Sequence, residues 1–459
     1  MHLTPSPAFP DTEPFRRLAG SGVQFVGRIN RLRYPNHGRE NLTFEMNRLR
    51  AVVLALAMLL AAALVVQTAA PSGADAAAKK SKKAKKKSGP PKGPAGLAFY
   101  KYKKKLPAGH GKLLWQRAAG GSVPLKSGAS TKLVLYTSKS PSGKSVTVSG
   151  SVTVPKGKAP KGGWPIISYG HGTTGIADKC APSRNTKGGI ADGYVSYTDP
   201  QMNAWLKAGY AVARTDYQGL GTPGDHPFLV GKASGRGILD IVRASRQLGL
   251  KISNKFLIAG HSQGGHAALF AAGQAASWTP DLKLKGTVAY APASHFKTQA
   301  LALPGLTSPN GLTALATLLV RGMSVEYPAV DAQQLLSDVV LPYYPLTLTK
   351  CLSEISGPDS LGGIAPSEML RDGADLEPLY GILDAQNPAV KTTAPIMLAQ
   401  GTADQTTFKF LTDMLNTELN DLGDNVDYKL YEGVDHGSVV AAAENDAMSF
   451  FESRLPGGK

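Results

Sequence analysis

The sequence predicts an α/β architecture, a mostly parallel sheet with helices on both faces and a helical cap inserted late in the chain. Compact apolar runs recur at residues 164–169, 210–213, 255–259, 286–290, 394–398 and 428–431. Their length and lack of polar alternation suit strands buried on both faces. Helical stretches such as 237–248 and 265–277 fall between several of them, the strand and helix alternation that builds a parallel sheet. Residues 292–391 break this rhythm. They are long, rich in Leu, Pro and Gly, and sit between two core strands, so they read as the cap.

Upstream of these runs, residues 132–136 and 145–154 alternate apolar and polar around Ser140-Pro141-Ser142-Gly143, the pattern of a hairpin or meander. The 51 Gly and 32 Pro point to many tight turns rather than a helical bundle. A chain of 459 residues with 42% hydrophobic content can bury a sizeable core in one large domain.

The net charge of +18 has a local source. Residues 1–112 hold 21 of the 51 Lys and Arg against 5 acids, and the remainder is nearly neutral. A basic nucleic-acid-binding face is therefore not expected. Met46 opens a short basic head, followed by an apolar run from Ala51 to Val66 and small residues up to Ala70 and Ala76. That is the layout of a secretory signal peptide at 46–76, cut after Ala70 or Ala76. The run is 16 residues long, short of the ~20 that span a bilayer, although an uncleaved anchor is the alternative. Residues 1–45 read as a non-translated or unstructured extension, with Met46 as the true start. Residues 77–97 form a Lys- and Pro-rich solvated linker. The lysines from Lys79 to Lys105 offer a weak association with an anionic cell wall or membrane surface. The catalytic domain is expected over 98–459, its cap at 292–391, and the protein as a secreted monomer.

The chemistry centres on Gly260-His261-Ser262-Gln263-Gly264. A G-x-S-x-G string is weak evidence alone. Here a predicted strand runs into it and an Ala-rich helix runs out, the strand-to-helix elbow that lifts a serine hydroxyl clear of the backbone. Serine needs a base, and in such folds the acid and then the histidine follow it in sequence. Only His266, His295 and His436 follow Ser262. His266 lies on the helix behind the elbow and His295 begins the cap. His436, just after the last strand, is the expected base. Asp404 follows the strand at 394–398 and is the expected acid, ahead of Asp435, Asp375 and Asp384. Oxyanion donors are expected from Gln263 and from Thr173, with Thr174 as alternative, in the loop Tyr169-Gly170-His171-Gly172-Thr173-Thr174-Gly175.

With these residues in place, the chain resembles the secretory lipases of the fungal lipase A type, which have many actinobacterial members, from about residue 99 to 451. The resemblance rests on Phe99-Tyr100, the string from Leu106 to Gly111, Leu113-Leu114-Trp115 and the His171-Gly172-Thr173-Thr174-Gly175 loop. It rests also on Cys180-Ala181-Pro182-Ser183 and on the string from Thr215 to Gly221 leading into Gly237 to Arg243. It implies an α/β-hydrolase fold and a Ser262, Asp404, His436 triad. A helical cap over an acyl-binding pocket and the absence of metals or cofactors are implied too. His261 departs from the tyrosine of some members and is expected to tune the pocket. The family bridges its oxyanion-side loop to the cap, which implies a disulfide between Cys180 and Cys351. No C-x-x-C or cysteine–histidine spacing supports a metal site. The expected substrates are small-molecule or lipid esters. An acyltransferase, a peptidase and an inert binding protein on the same fold are the rival readings.

Overall fold

Ile166 and Ile167 are both fully buried, yet they belong to different layers. Successive side chains of a strand point to opposite faces, so a strand buried on both sides needs apolar residues at every position. The structure, a computed structural model, describes residues 89–458. The expected leader, the extension before it and the lysines from Lys79 to Lys87 lie outside the described residues.

Among the described residues, nine strands form one sheet: β1 Leu113–Ala118, β2 Gly128–Lys139, β3 Ser145–Pro155, β4 Trp164–Gly170, β5 Ala211–Gln218, β6 Ile252–His261, β7 Lys283–Tyr290, β8 Ile396–Gly401 and β9 Val426–Tyr431. Their order is β1-β2-β3-β5-β4-β6-β7-β8-β9. The first three strands pair antiparallel, with β3 antiparallel to β5, and the remaining neighbours pair parallel. Because β4 sits between β5 and β6, connections leave it in both directions. The carboxyl ends around it form the crevice where α/β sheets bind ligands.

Six helices reach nine residues or more among the described residues: α1 Asp199–Lys207, α2 Gly231–Ser245, α3 Gln263–Trp278, α4 Leu312–Ser324, α5 Lys409–Asp421 and α6 Glu444–Arg454. One layer packs Ile238, Leu239, Ile241 and Val242 of α2 and Ala267, Ala268 and Ala271 of α3 against Ile166, Ala211, Phe256 and Ile258. The opposite layer sets Trp205 and Leu206 of α1 and Phe450 and Phe451 of α6 against Ile167, Val212, Leu257 and Val288. This is the α/β-hydrolase fold expected from the sequence, with the hairpin between β2 and β3 where alternation placed it.

Three boundaries differ from expectation. β5 starts at Ala211 and runs on to Gln218, because Thr215, Asp216 and Gln218 are polar yet buried and bonded. α2 begins six residues early, at Gly231, its amide bonded to Gln386 Oε1 at 3.0 Å. The packed chain also starts before residue 98. Gly93 donates to the Gln116 carbonyl at 2.9 Å, and Gln116 donates to that of Pro91 at 2.8 Å. A Cβ on Gly93 would stand 2.7 Å from the Trp115 ring, so the close approach needs glycine.

Between β7 and β8 lies the inserted segment, built from α4 and several short helices. Prolines at 304, 342, 345 and 366 keep many of its turns short and 3₁₀ in form. It has its own apolar cluster, in which Leu318, Met323, Leu336, Val340 and Ile355 meet Phe228 and Val230 of the loop before α2.

Cys180 and Cys351 form a disulfide with Cα atoms 5.6 Å apart, across 171 residues of sequence. It joins the loop after β4 to the cap, beside a 3.0 Å bond from the Leu352 amide to the Thr174 carbonyl. Closing so long a loop stabilises by at most about 5 kcal/mol in the chain-entropy model. Cys180→Ala/Cys351→Ala should therefore melt several degrees below the wild type. Adding reductant should lower the wild-type melting temperature and leave that of the double variant unchanged.

Candidate active site

At the end of β6 the chain turns sharply into α3 through Ser262, which adopts φ 59° and ψ −119°. A non-glycine residue reaches this region only when its surroundings hold it there, at about 1–3 kcal/mol. The Ser262 amide donates to the Tyr290 carbonyl at 2.9 Å, and its carbonyl accepts the His266 and Ala293 amides at 3.1 and 3.3 Å. Glycine is required on both sides. A Cβ on Gly260 would lie 2.0 Å from the Gly264 carbonyl oxygen, and one on Gly264 would lie 1.9 Å from that of Gly170. The elbow is thereby pressed against the end of β4, and the loop of residues 170–175 lies beside it.

The elbow leaves the Ser262 hydroxyl 2.9 Å from His436 Nε2. On the other side of the ring, Nδ1 lies 2.7 Å from Asp404 Oδ2. The carboxylate is 2% exposed, and it needs several donors at that depth. The amides of Thr406 and Thr407 donate to Oδ1 at 2.8 and 2.9 Å, and Thr407 Oγ1 and Gln400 Nε2 donate to Oδ2 at 2.9 and 3.1 Å. Burial pushes the Asp404 carboxyl upward. The His436 ring and the Thr406 and Thr407 amides outweigh that, so the group sits below its ordinary range and stays ionised.

The rivals stand elsewhere. Asp435 is exposed and accepts the Ser438 amide, Asp375 caps the turn before Glu377, and Asp384 pairs with Lys297 at 3.0 Å. His266 gives Nε2 to the Gln386 carbonyl at 2.9 Å, and His295 faces Ser294 and Glu418.

Gln263 is the first residue of α3, where backbone amides have no partner within the helix. Its side chain donates from Nε2 to His226 Nε2 at 3.0 Å, and His226 Nδ1 donates to the Gln218 carbonyl at 2.7 Å. Burial lowers the His226 pKa to about 4, which keeps this ring neutral. Thr173 is half-buried and Thr174 is 1% exposed, its carbonyl committed to Leu352. The loop is held from behind by the Tyr217 hydroxyl, which donates to the His171 carbonyl at 3.0 Å.

Several contributors escaped sequence reasoning. Thr407 and Gln400 sit in a stretch with no motif, and only their closeness to Asp404 in sequence marks them. His226 and Tyr197 lie far from Ser262 in sequence. Tyr197 bonds His261 Nδ1, and His261 Nε2 lies 2.8 Å from the His436 carbonyl. Among the described residues, no group of three or more His, Cys, Asp or Glu side chains is arranged to hold a metal ion, and no helix is long and apolar enough to cross a membrane.

A sequence model of the family "Secretory lipase" matches residues 194–340. Lipase A of Moesziomyces aphidis is 30% identical over 174 residues, 36% of each chain. A "probable inactive lipase" of Mycobacterium tuberculosis is 25% identical over 274 residues, 55% of this chain and 57% of its own. The chain thus spans between about a third and just over half the length of these curated relatives. Candida antarctica lipase A in its closed state superimposes with a TM-score of 0.63 at 18% identity, over 75% of this chain and 83% of that one. The likeness to secretory lipases read from the motifs is borne out, as is the α/β-hydrolase fold.

Ionised Asp404 stabilises the fold. Its folded pKa lies below the unfolded value, so this contribution is present above the unfolded pKa, near 4, and is lost as pH falls through the folded one. Asp404→Asn should therefore cost more stability at pH 7 than at pH 3, measured as urea midpoints of both proteins at each pH. A gap that stays constant with pH would contradict a depressed Asp404.

Proposed function

We propose that this chain, α/β-hydrolase in fold and matched to the secretory lipases, is a secreted serine ester hydrolase of lipase or carboxylesterase type. The observation that supports this reading most is the unbroken hydrogen-bonded line from the Ser262 hydroxyl through His436 to buried Asp404.

With Asp404 ionised, His436 Nδ1–H donates to it, and Nε2 keeps a lone pair facing the Ser262 hydroxyl. Ser262 Oγ attacks the ester carbonyl carbon as its proton passes to Nε2. The tetrahedral oxyanion is held by backbone N–H groups of Gln263 and Thr173, at the N-terminus of α3 and in the loop beside it. Collapse breaks the bond to the alcohol oxygen, which takes the proton from Nε2. Water then repeats the sequence on the acyl-enzyme and releases the acid. Buried Asp404 supports the imidazolium that forms in each half-reaction.

The cap cluster packs on Ile176, Phe228 and Ala293, from the loops that follow β4, β5 and β7, and in this reading the cap bounds the site of an acyl chain. Lipid or small-molecule esters are thus the substrate class. The family name and the leader expected from the sequence at 46–76 support an extracellular site of action. The inert state named for the mycobacterial relative fits this chain poorly, because serine, imidazole and carboxylate keep bonding distances here.

Hydrolysis of p-nitrophenyl esters from two to sixteen carbons should show a clear chain-length optimum. Ser262→Ala should lower kcat by about a thousandfold or more. Equal rates from both proteins would remove Ser262 from the mechanism. Ester product appearing when a simple alcohol is added, at the expense of free acid, would favour the acyltransferase.

A further inference from the structure

We propose that Tyr197 and His261 form a strut that sets the spacing between the His436 loop and the loop at Gly172, which makes both positioning residues. The proposal rests on the reading of Ser262, Asp404 and His436 given above.

Tyr197 lies between the short helix Asp192–Ser196 and α1, on a segment that carries none of the reacting groups. His261 immediately precedes Ser262 and is 3% exposed. The chemistry of its partners fixes its tautomer. Nε2 faces the His436 carbonyl at 2.8 Å, which can only accept, so Nε2 carries the hydrogen. Nδ1 then holds a lone pair and accepts the Tyr197 hydroxyl. Tyr197 is partly buried, and desolvation pushes its pKa well above 10, so its hydroxyl keeps the proton it donates. The line runs from Tyr197 through His261 to the main chain of His436.

A third element rests on the same bond. A Cβ on Gly172 would stand 3.1 Å from the Tyr197 hydroxyl and 3.4 Å from His261 Nδ1. The oxyanion-side loop therefore packs against the middle of the strut, while its far end grips the base loop. Ser262 is joined to it by one peptide bond. Nucleophile, base and oxyanion-side loop are thus all referred to one pair of side chains.

The strut is also compatible with charge forming nearby. The His261 ring lies 4.6 Å from that of His436, centroid to centroid. Burial, and then the neighbouring His436, lower the His261 pKa to about 3. A neutral ring there positions the base without opposing the imidazolium that catalysis requires.

Two substitutions separate the halves of the contact. In His261→Gln, the side-chain amide reaches the place of Nε2 and still donates to the His436 carbonyl. In His261→Asn, the shorter side chain answers Tyr197 and leaves that carbonyl unheld. His261→Asn should lower kcat by about ten- to a hundredfold, the scale of an ångström-sized misplacement. KM for a short ester should stay within about twofold. His261→Gln should recover most of the rate, and Tyr197→Phe should fall between them.

Equal kcat in the Asn and Gln variants, or losses that follow only melting temperature, would overturn the strut. If His261→Asn fails to fold, Tyr197→Phe, which removes a single oxygen, decides the matter by the same split of kcat and KM. Ser262→Ala measured alongside separates the two levels. If that variant keeps the wild-type rate, the reading of the site fails. If it is inactive while His261→Asn turns over like the wild type, only the strut fails.

Discussion

The backbone of α3 meets that of β4 with no room for a single methyl group, and the place of the Ser262 hydroxyl, to which the His436 and Asp404 line is bonded, follows from this contact. Gly264 lies so close to Gly170 that a Cβ would stand 1.9 Å from its carbonyl oxygen, and Gly260 crowds Gly264 just as closely. A β6 strand ending here cannot continue straight into a helix. It must fold back through Ser262 in a left-handed conformation. That strain is offset locally by three main-chain hydrogen bonds at Ser262 itself. The turn delivers a hydroxyl to the carboxyl edge of the sheet, where β4 switches the direction of the connections. Larger residues at 260 or 264 would move the helix away from β4 and carry the first amides of α3 out of the crevice.

Much of this could be read in the sequence because burial on both faces leaves a strong signal. Runs such as Trp164–Gly170 are apolar at nearly every position, and strand type follows from that alone. Ser262 stood out through its flanking elements, and His436 through the scarcity of histidines after it. β1 left no such trace, because its burial is partial and mixed and its sequence, LLWQRA, shows no clear alternation. The details of the cap were equally hidden, since proline-broken turns of three or four residues carry no periodicity. Beyond the line of Ser262, His436 and Asp404, the supporting donors were invisible for a different reason. Thr407 and Gln400 satisfy Asp404 from an ordinary loop and strand, and Tyr197 reaches His261 across 64 residues. Such contacts depend on tertiary approach, which no local pattern encodes.

Burial at the site also divides its histidines into two kinds. His171, His226, His261 and His266 each direct one ring nitrogen at a backbone carbonyl, of Gly172, Gln218, His436 and Gln386 respectively. Burial is the largest influence on all four and lowers their pKa values to about 4, or about 3 for His261. They therefore act as fixed dipoles with assigned tautomers, and can pack against Tyr217 or beside His436 without adding charge. His436 is made differently. It is partly exposed, its Nδ1 faces an ionised carboxylate rather than a carbonyl, and its Nε2 faces a hydroxyl. A carbonyl orients a neutral ring, whereas a carboxylate both orients the ring and stabilises it when it charges. In the proposed mechanism, the imidazole that gains and loses a proton is thus the one given an anion behind it and solvent at its edge. The neighbouring rings, each tied to a backbone carbonyl and kept neutral by burial, would not compete for that proton.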